Sequence, residues 1–163
     1  MNGIVAVDRN WGIGRNNDLL VHLPGDLKYY KEKTYGKVII VGQRTLESFP
    51  GSKPLPGRTN VVLSDDPAFV RDDCIVCRTK DEVLETVASY DPEDVFVCGG
   101  ASIYRLFLED CDAMYVTKIF EAFEADTFFP DLDELGWQVD WASEEQEENG
   151  IRYRFERYVK GEV

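Results

Sequence analysis

The chain alternates short apolar runs, rich in β-branched residues, with longer amphipathic segments. Several runs are apolar at nearly every position, as in strands that are covered on both faces. The segments between them have apolar residues at helical spacing, for example Val83, Leu84 and Val87. This alternation predicts an α/β domain with a largely parallel sheet. The predicted strands cover residues 3–7, 37–42, 59–64, 74–77, 94–99 and 113–119, and the predicted helices cover residues 24–34, 79–89 and 100–110.

The C-terminal segment follows a different pattern. Asn149-Gly150 is a strong signal for a tight hairpin turn. After the turn, Tyr153 and Phe155 alternate with charged residues, so one face of this strand is expected to pack and the other to face water. The segment therefore predicts an antiparallel hairpin that closes a mixed sheet. Because no linker-like stretch interrupts the pattern, we expect a single domain over residues 1–163.

The net charge argues against one class of protein. The 163 residues include 18 Lys and Arg and 31 Asp and Glu, which gives a formal net charge of −13. A nucleic-acid-binding protein needs a basic face, so we expect no nucleic-acid partner. The apolar runs are too short to cross a membrane, and the N-terminal residues do not resemble a signal peptide. We therefore expect a cytoplasmic protein without a membrane partner, and we expect a monomer because nothing in the sequence demands an oligomer.

The four cysteines do not form a convincing metal or redox motif. Cys74 and Cys77 are spaced like a metal-binding pair, but their segment has the composition of a short strand, in which residues three apart point to opposite faces. His22 is the only histidine in the sequence. A Cys/His zinc site and a histidine-based catalytic triad are thus disfavoured. We expect no metal ion, and free thiols suit a reducing compartment.

Two predicted strand ends carry residues that suit a phosphate group. Gly42 ends one apolar strand, and Arg44 and Thr45 follow it at the start of a helical turn. Free N–H groups, a hydroxyl and a guanidinium there suit a phosphate, although a Thr45 helix cap beside a solvated arginine explains the same residues. Gly99-Gly100 ends a second strand and either admits a ligand close to the backbone or forms only a tight turn. Two such ends in one sheet favour a dinucleotide.

Two further loops are candidates for a ligand site. Residues 8–20 are polar and contain glycine, which fits either a surface loop or a mobile lid over the carboxyl edge of the sheet. Residues 48–64 form a proline-rich loop with an apolar wall that leads to Arg58. This arginine suits bidentate pairing with a carboxylate, or it is an exposed residue on a rigid connector.

One acid, Asp26, lies among apolar and aromatic residues at the start of a predicted helix. Pro24 suits a first helical position, and an acid in the first turn faces the positive end of the helix. These preferences explain Asp26 without any chemistry. The residues alone leave open whether the carboxylate also takes part in a reaction.

In order and spacing, these stretches resemble the dihydrofolate reductase family. The resemblance covers almost the whole chain and implies an eight-stranded mixed, mostly parallel sheet flanked by helices. The implied reaction is the reduction of 7,8-dihydrofolate to 5,6,7,8-tetrahydrofolate by NADPH, and the implied ligands include antifolates such as methotrexate and trimethoprim. The resemblance to this family rests on six stretches of sequence: AVDRNWGIGRNNDLL, LPGDLKYYK, VGQRTLESFP, PLPGRTNVVLS, VCGGASIY and ADTFFP.

Two alternatives remain beside this family. The pyrimidine reductase of riboflavin synthesis has a similar fold and also uses NADPH, but it would not need both Asp26 and Arg58. A non-catalytic, acidic interaction protein with a degraded site is the other alternative. The intact Arg44, Thr45 and Gly99-Gly100 argue against it.

The resemblance implies roles for residues of a substrate site. Asp26 would bind the amino-pyrimidine edge of the pterin and promote protonation of N5, with an apolar wall that raises its pKa. Thr117 would donate a hydrogen bond to this carboxylate, and Arg58 would hold the glutamate carboxylate of the substrate. The remaining expected substrate contacts are Ala6, Leu27, Tyr30, Phe49, Pro50 and Leu55.

The resemblance also implies an NADPH site. Arg44 and Thr45 would hold the pyrophosphate from one side, and the segment from Gly99 to Ile103 would hold it from the other. The Gly99–Gly100 peptide bond is expected to be cis. The expected cofactor contacts are Ala6, Ile13, Gly14, Asn17, Leu19, Gly42, Gln43, Arg44, Thr45, Leu63, Ser64, Arg78, Gly99, Gly100, Ala101, Ser102, Ile103 and Tyr104.

Two positions depart from the family pattern. Val21 stands where many members have a tryptophan beside the site. Gln43 stands where an arginine usually meets the adenosine 2′-phosphate, and Asp65 lies close to the same pocket. Because Ser64 and Arg78 remain as candidate partners of that phosphate, we expect NADPH to be used, with a reduced preference over NADH.

Overall fold

The apolar runs form the strands of a central sheet, and the amphipathic segments form helices between them. A computed structural model describes residues 1–16 and 19–161. Its helices are α1 (Pro24–Thr34), α2 (Gln43–Ser48), α3 (Lys80–Val87) and α4 (Ala101–Phe107), with 3₁₀ turns at Pro50–Ser52, Pro92–Asp94 and Leu108–Asp110. Its strands are β1 (Asn2–Val7), β2 (Gly12–Gly14), β3 (Val38–Gly42), β4 (Thr59–Leu63), β5 (Ile75–Cys77), β6 (Val95–Gly99), β7 (Ala113–Ile119), β8 (Thr127–Phe128), β9 (Gln138–Ala142), β10 (Gln146–Glu148) and β11 (Ile151–Val159).

The main sheet is mixed and mostly parallel, which confirms the predicted fold class. Its strand order is β10-β11-β7-β1-β6-β3-β4-β5, and β9 also pairs with β11. Since β9 and β10 share one edge of β11, the nine strands in the described part of the chain make a sheet eight positions wide. Across the sheet from β7 through β1, β6, β3 and β4 to β5, each pair of neighbouring strands is parallel, whereas β11 runs antiparallel to β7. A separate two-stranded sheet joins β2 to β8.

Both faces of the sheet are covered, because the inner strands are apolar at almost every position. The first four residues of β3 and all of β6 are buried. One face packs against α3 and α4 through residues such as Val83 and Phe107. The other face packs against α1 and α2 through residues such as Tyr30 and Leu46. The strands that were predicted from continuous apolar runs are therefore buried, as expected of parallel strands between helices.

The C-terminal hairpin forms at Asn149-Gly150, where both residues have positive φ angles of 53° and 78°. The predicted alternation of a packed and a wet face is wrong at Glu156, which is only 5% exposed. This residue lies on β11 between β7 and β9, and Arg154 forms an ion pair with it at 2.8 Å. A strand with neighbours on both edges can thus bury a charged side chain that is paired.

The described residues include no helix with the length and apolar composition needed to cross a bilayer.

Candidate active site

Asp26 lies in the first turn of α1 and is held by a residue from the sheet. Thr117 on β7 donates a hydrogen bond from Oγ1 to Asp26 Oδ1 at 2.6 Å. Burial raises the pKa of Asp26, the hydrogen bond from Thr117 lowers it, and the charge of Glu148 raises it further. Because burial is the largest of these causes, the carboxyl group of Asp26 keeps its proton to higher pH than that of an exposed aspartate.

The start of α1 is tied to the C-terminal hairpin. Pro24 occupies the first helical position, and Leu23, the N-cap residue, provides no side-chain hydrogen bond. The Gly25 N–H donates instead to Glu148 Oε1 on β10 at 2.7 Å. The Tyr153 hydroxyl donates to the same oxygen. Sequence reasoning did not identify Glu148, because the hairpin signal says nothing about which element the hairpin packs against.

The residues expected around the substrate are only partly brought together. Tyr30, Phe49 and Leu55 join one apolar cluster beside α1 and α2. Leu27 is 49% exposed and Pro50 is also exposed, so neither belongs to that cluster. An exposed apolar side chain such as Leu27, directly after a half-buried acid, suits the wall of a site that opens to solvent.

Ala6 lies on the strand that pairs with Thr117, the residue bound to Asp26. It is half-buried on β1 and aligns with Thr117 in the parallel pairing of β1 and β7. The register of the sheet therefore places Ala6 beside the residue that binds the acid.

Arg58 lies at the other end of α1. Its Nε donates to Thr34 Oγ1 at 2.9 Å, and its Nη1 donates to the Pro56 carbonyl at 2.8 Å. Thr34 is the last residue of α1, so Asp26 and Arg58 mark opposite ends of a stretch that spans about 12 Å along the helix axis. Neither of these hydrogen bonds goes to a carboxylate, so they do not neutralise the guanidinium. The arrangement leaves one acid and one cation separated along α1.

The starts of α2 and α4 lie side by side at the carboxyl edge of the sheet. Their N-cap residues, Gly42 and Gly100, provide no side-chain cap. A Cβ at Gly100 would lie 3.4 Å from Thr45 Oγ1, and a Cβ at Gly42 would lie 3.0 Å from Ile103 Cγ1. The space beside Gly42 and Gly100 is therefore narrow and lined by backbone. Such a space suits a pyrophosphate in contact with N–H groups and a hydroxyl.

The remaining residues around these two helix starts have different degrees of burial. The Gly99–Gly100 bond is cis, as expected, and Arg44 is exposed. Ala101 is half-buried and Ser102 is exposed in the first turn of α4. The Tyr104 hydroxyl donates to the Ile4 carbonyl at 2.7 Å, which fixes its ring beside Gly99.

The adenosine end of the expected cofactor site has little positive charge. Ser64 Oγ donates to Gln43 Oε1 at 2.5 Å. Arg78 donates to the carbonyls of Ser64, Asp66 and Phe69, so its guanidinium already holds a loop. Leu63, which ends β4, packs against the main core. These contacts support a weaker hold on a 2′-phosphate than an arginine at position 43 would provide.

The loop after β1 is anchored by an aspartate that sequence reasoning did not single out. Asp8 Oδ1 accepts hydrogen bonds from the N–H groups of Asn10 and Gly12, both at 2.8 Å, and Oδ2 accepts one from Phe123 at 2.9 Å. Asp126 accepts another from the Asn16 N–H at 2.9 Å. The loop is therefore bound to the segment before β8.

The loop residues expected at the nicotinamide differ in exposure. Ile13 is half-buried and Gly14 is buried within β2. Leu19 is 49% exposed. Asn17 lies outside the described residues.

The chain is similar over almost its whole length to proteins of one family. A family model described as dihydrofolate reductase matches residues 1–160. The dihydrofolate reductase of Bacillus subtilis is 40% identical over 161 residues, which cover 96% of this chain and 92% of that protein. A bifunctional dihydrofolate reductase-thymidylate synthase of Daucus carota is 38% identical over 174 aligned residues, which cover 96% of this chain but only 33% of that protein. A solved structure of dihydrofolate reductase from Enterococcus faecalis, complexed with NADP(H) and RAB-propyl, has a TM-score of 0.87, is 32% identical, and is matched over 99% of this chain and 96% of that one.

Proposed function

Because the chain belongs to the dihydrofolate reductase family, we propose that Asp26 and Arg58 hold the two ends of 7,8-dihydrofolate while NADPH reduces it to 5,6,7,8-tetrahydrofolate. The observation that carries this proposal is the hydrogen bond from Thr117 to Asp26 at 2.6 Å, at a carboxyl group whose pKa is raised by burial. The separation of the acid and the guanidinium along α1 supports it. The pyrimidine reductase alternative is not favoured, since the family match covers nearly the whole chain.

Asp26 has two tasks in this proposal. It accepts hydrogen bonds from the amino-pyrimidine edge of the pterin, and it promotes protonation of pterin N5, through water or a substrate tautomer. Bound NADPH supplies the hydride that is transferred to C6. Burial raises the pKa of Asp26, so the acid retains its proton to higher pH than an exposed aspartate does. Activity is therefore expected to fall as the pH rises through that pKa.

The NADPH site is proposed at the paired starts of α2 and α4. Arg44 and Thr45 bind the pyrophosphate from one side, and the turn from Gly99 to Ser102 binds it from the other. Near the nicotinamide we propose Ala6, Ile13, Gly14, Asn17, Leu19, Ile103 and Tyr104, and near the adenosine we propose Gly42, Gln43, Leu63, Ser64 and Arg78.

Around the substrate, Tyr30, Phe49 and Leu55 are proposed to contact the pterin and the ring that follows it. Leu27 and Pro50 extend this wall toward solvent. Arg58 keeps the substrate's glutamate at the far end of α1. The 54–58 segment that precedes and includes Arg58 is rigidified by Asn60, whose side chain bonds the backbone of Leu55 in both directions at 3.0 Å.

We also propose that the chain acts as a single domain and a monomer in the cytoplasm, without nucleic-acid or membrane partners. The net charge of −13 supports the absence of a nucleic-acid partner. All four cysteines are free, as is common in a reducing compartment.

The direct test follows NADPH absorbance after dihydrofolate is added to the purified protein. We expect oxidation of NADPH that depends on dihydrofolate and is inhibited by methotrexate and trimethoprim. The Asp26→Asn variant should fold and bind NADPH but lose roughly 10²–10⁴-fold in turnover near neutral pH. An inactive wild-type protein would contradict the assigned reaction, and a fully active Asp26→Asn variant would contradict the role of the acid.

A further inference from the structure

A carboxylate from the C-terminal hairpin takes the place of a helix cap at the start of α1. Glu148 Oε1 accepts a hydrogen bond from the Gly25 N–H at 2.7 Å, and it also accepts one from the Tyr153 hydroxyl. Side chains that accept from the first N–H groups of a helix stabilise its first turn. A Cβ at position 25 would overlap both the Glu148 carboxylate and the Tyr153 hydroxyl, so a glycine is needed for this approach.

Glu148 also brings a second acid next to the proposed catalytic one. Gly25 and Asp26 are consecutive residues of the same turn, and Glu148 bonds the first while its charge acts on the second. We propose that Glu148 is a positioning residue of the reductase, which fixes the turn that carries Asp26 and keeps a negative charge beside it. This inference rests on the proposed role of Asp26.

The charge of Glu148 has a defined direction of effect. Like charges disfavour ionisation of a neighbouring acid, and Glu148 raises the pKa of Asp26 in addition to the larger effect of burial. Thr117 acts in the opposite direction, because its hydrogen bond favours the ionised form. Glu148 should therefore extend the pH range over which Asp26 retains the proton that the reaction needs.

The other titratable groups that face Asp26 do not compete with Glu148 for this effect. These groups are Tyr29 on α1, Tyr104 on α4 and Tyr153 on β11. Burial raises the pKa of each tyrosine, to about 12 for Tyr29, so all three stay neutral in the physiological range. Among the described residues, Glu148 is thus the charged side chain that shifts the pKa of Asp26.

The variant Glu148→Gln separates the charge from the hydrogen bonds. Its amide oxygen can still accept from Gly25 N–H and from Tyr153, but the negative charge is gone. We expect the midpoint at which kcat/KM for dihydrofolate falls with rising pH to move to lower pH, with a several-fold loss above the midpoint and little change below it. At a pH low enough to keep Asp26 neutral, the melting temperature should match that of the wild type, and the affinity for NADPH should be unchanged.

Two reference variants calibrate this measurement. Glu147→Gln removes the same charge from an exposed neighbour on β10 that aligns with Arg152 rather than facing α1, and it should keep the wild-type midpoint. Thr117→Val should move the midpoint in the opposite direction, to higher pH, because it removes the hydrogen bond that lowers the pKa of Asp26.

Glu148→Ala tests the positioning role directly. It removes both the charge and the acceptor of the Gly25 N–H, so it should combine the lowered midpoint with a lower melting temperature and a higher KM for dihydrofolate. If this variant does not fold, Glu148→Gln still decides the effect of the charge.

The outcomes distinguish this inference from the proposed function. If the wild-type protein does not reduce dihydrofolate, the proposed function fails before Glu148 is tested. If the wild type is active and Glu148→Gln has the same midpoint as both the wild type and Glu147→Gln, the role of Glu148 is refuted while the proposed function stands.

Discussion

A half-buried carboxylate such as Asp26 is unfavourable for folding when it is ionised. Its pKa is raised in the folded protein, mainly by burial, so the folded state binds its proton more tightly than the unfolded state does. The resulting loss of stability is absent below the ordinary value of 3.8, grows as the pH rises through the raised pKa, and is constant above it. The residue that we propose as the acid of the reaction is thus one that the fold would be more stable without.

Asp26→Asn is therefore expected to stabilise the protein at alkaline pH. The amide oxygen can still accept the hydrogen bond from Thr117, while the desolvated charge is removed. The variant should require more urea to unfold than the wild type near pH 8, and the difference should vanish near pH 3, where both side chains are neutral. An unfolding series across pH checks this, and a variant less stable than the wild type near pH 8 would contradict it.

A single side chain is also expected to limit the preference for NADPH over NADH. Gln43 bonds Ser64 and carries no charge, the exposed Asp65 follows Ser64, and Arg78 is engaged with backbone carbonyls. We predict that Gln43→Arg raises the ratio of kcat/KM for NADPH to that for NADH by roughly 10- to 150-fold, since a charged hydrogen bond to a phosphate contributes about 1.5–3 kcal/mol. Gln43→Met is the control that removes the amide without adding charge, and an unchanged ratio in Gln43→Arg would refute the prediction.

Several residues of the candidate site are visible in the sequence because they lie in contiguous, unusual stretches. Asp26 stands out as an acid among apolar residues, and Gly99-Gly100 stands out after a buried strand. Asp8 and Glu148 do not stand out, since an aspartate in a polar loop and a glutamate in an acidic hairpin are ordinary. Their importance arises from hydrogen bonds to residues more than a hundred positions away, Phe123 and Gly25 respectively.

At the level of elements, the inner strands could be predicted almost to the residue. The predicted strand at 113–119 coincides with β7, and the predicted strand at 94–99 differs from β6 by one residue. The short or exposed strands escaped prediction. β9 is exposed at every position, including Val139 and Trp141, so its alternation of polar and apolar residues does not correspond to a buried face, and β8 has only two residues. Their pairing is decided by β11 and β2, which lie elsewhere in the chain.

The link between the β1–β2 loop and the segment before β8 leads to a prediction at this scale. Asp8 is buried and accepts three backbone hydrogen bonds, two from its own loop and one from Phe123. Asp8→Ala leaves these N–H groups without their acceptor and should cost about 2–4 kcal/mol of the free energy of unfolding. Because the same loop carries Ile13 and Gly14, the KM for NADPH should also rise.

The exposed Asp126 provides the comparison for Asp8. It accepts the Asn16 N–H at the surface, where water can replace it, so Asp126→Ala should lose less than about 1 kcal/mol. Urea unfolding and a titration of NADPH measure both quantities. Equal stability of the two variants would show that the buried anchor contributes no more than the surface contact.

For the whole molecule, the dominant feature is the excess of negative charge. A formal net charge of −13 creates repulsion across the surface, and both proposed ligands are anionic. Binding must therefore depend on local cations, and Arg58 and Arg44 are the ones proposed to meet the glutamate and the pyrophosphate. The exposed ion pairs, such as that between Lys28 and Glu32 at 4.0 Å, contribute little to stability individually.

This balance predicts that salt stabilises the protein. Raising KCl from about 0.01 to 0.5 M shortens the screening length several-fold and weakens the repulsion between exposed acids more than it weakens the few close pairs. We expect a gain of about 1 kcal/mol, or ~2–4 °C in melting temperature. The double variant Glu144→Gln, Glu147→Gln removes two exposed acids from the hairpin and should be more stable than the wild type at low salt and less responsive to KCl. A melting temperature that falls with KCl would instead mean that the ion pairs outweigh the net repulsion.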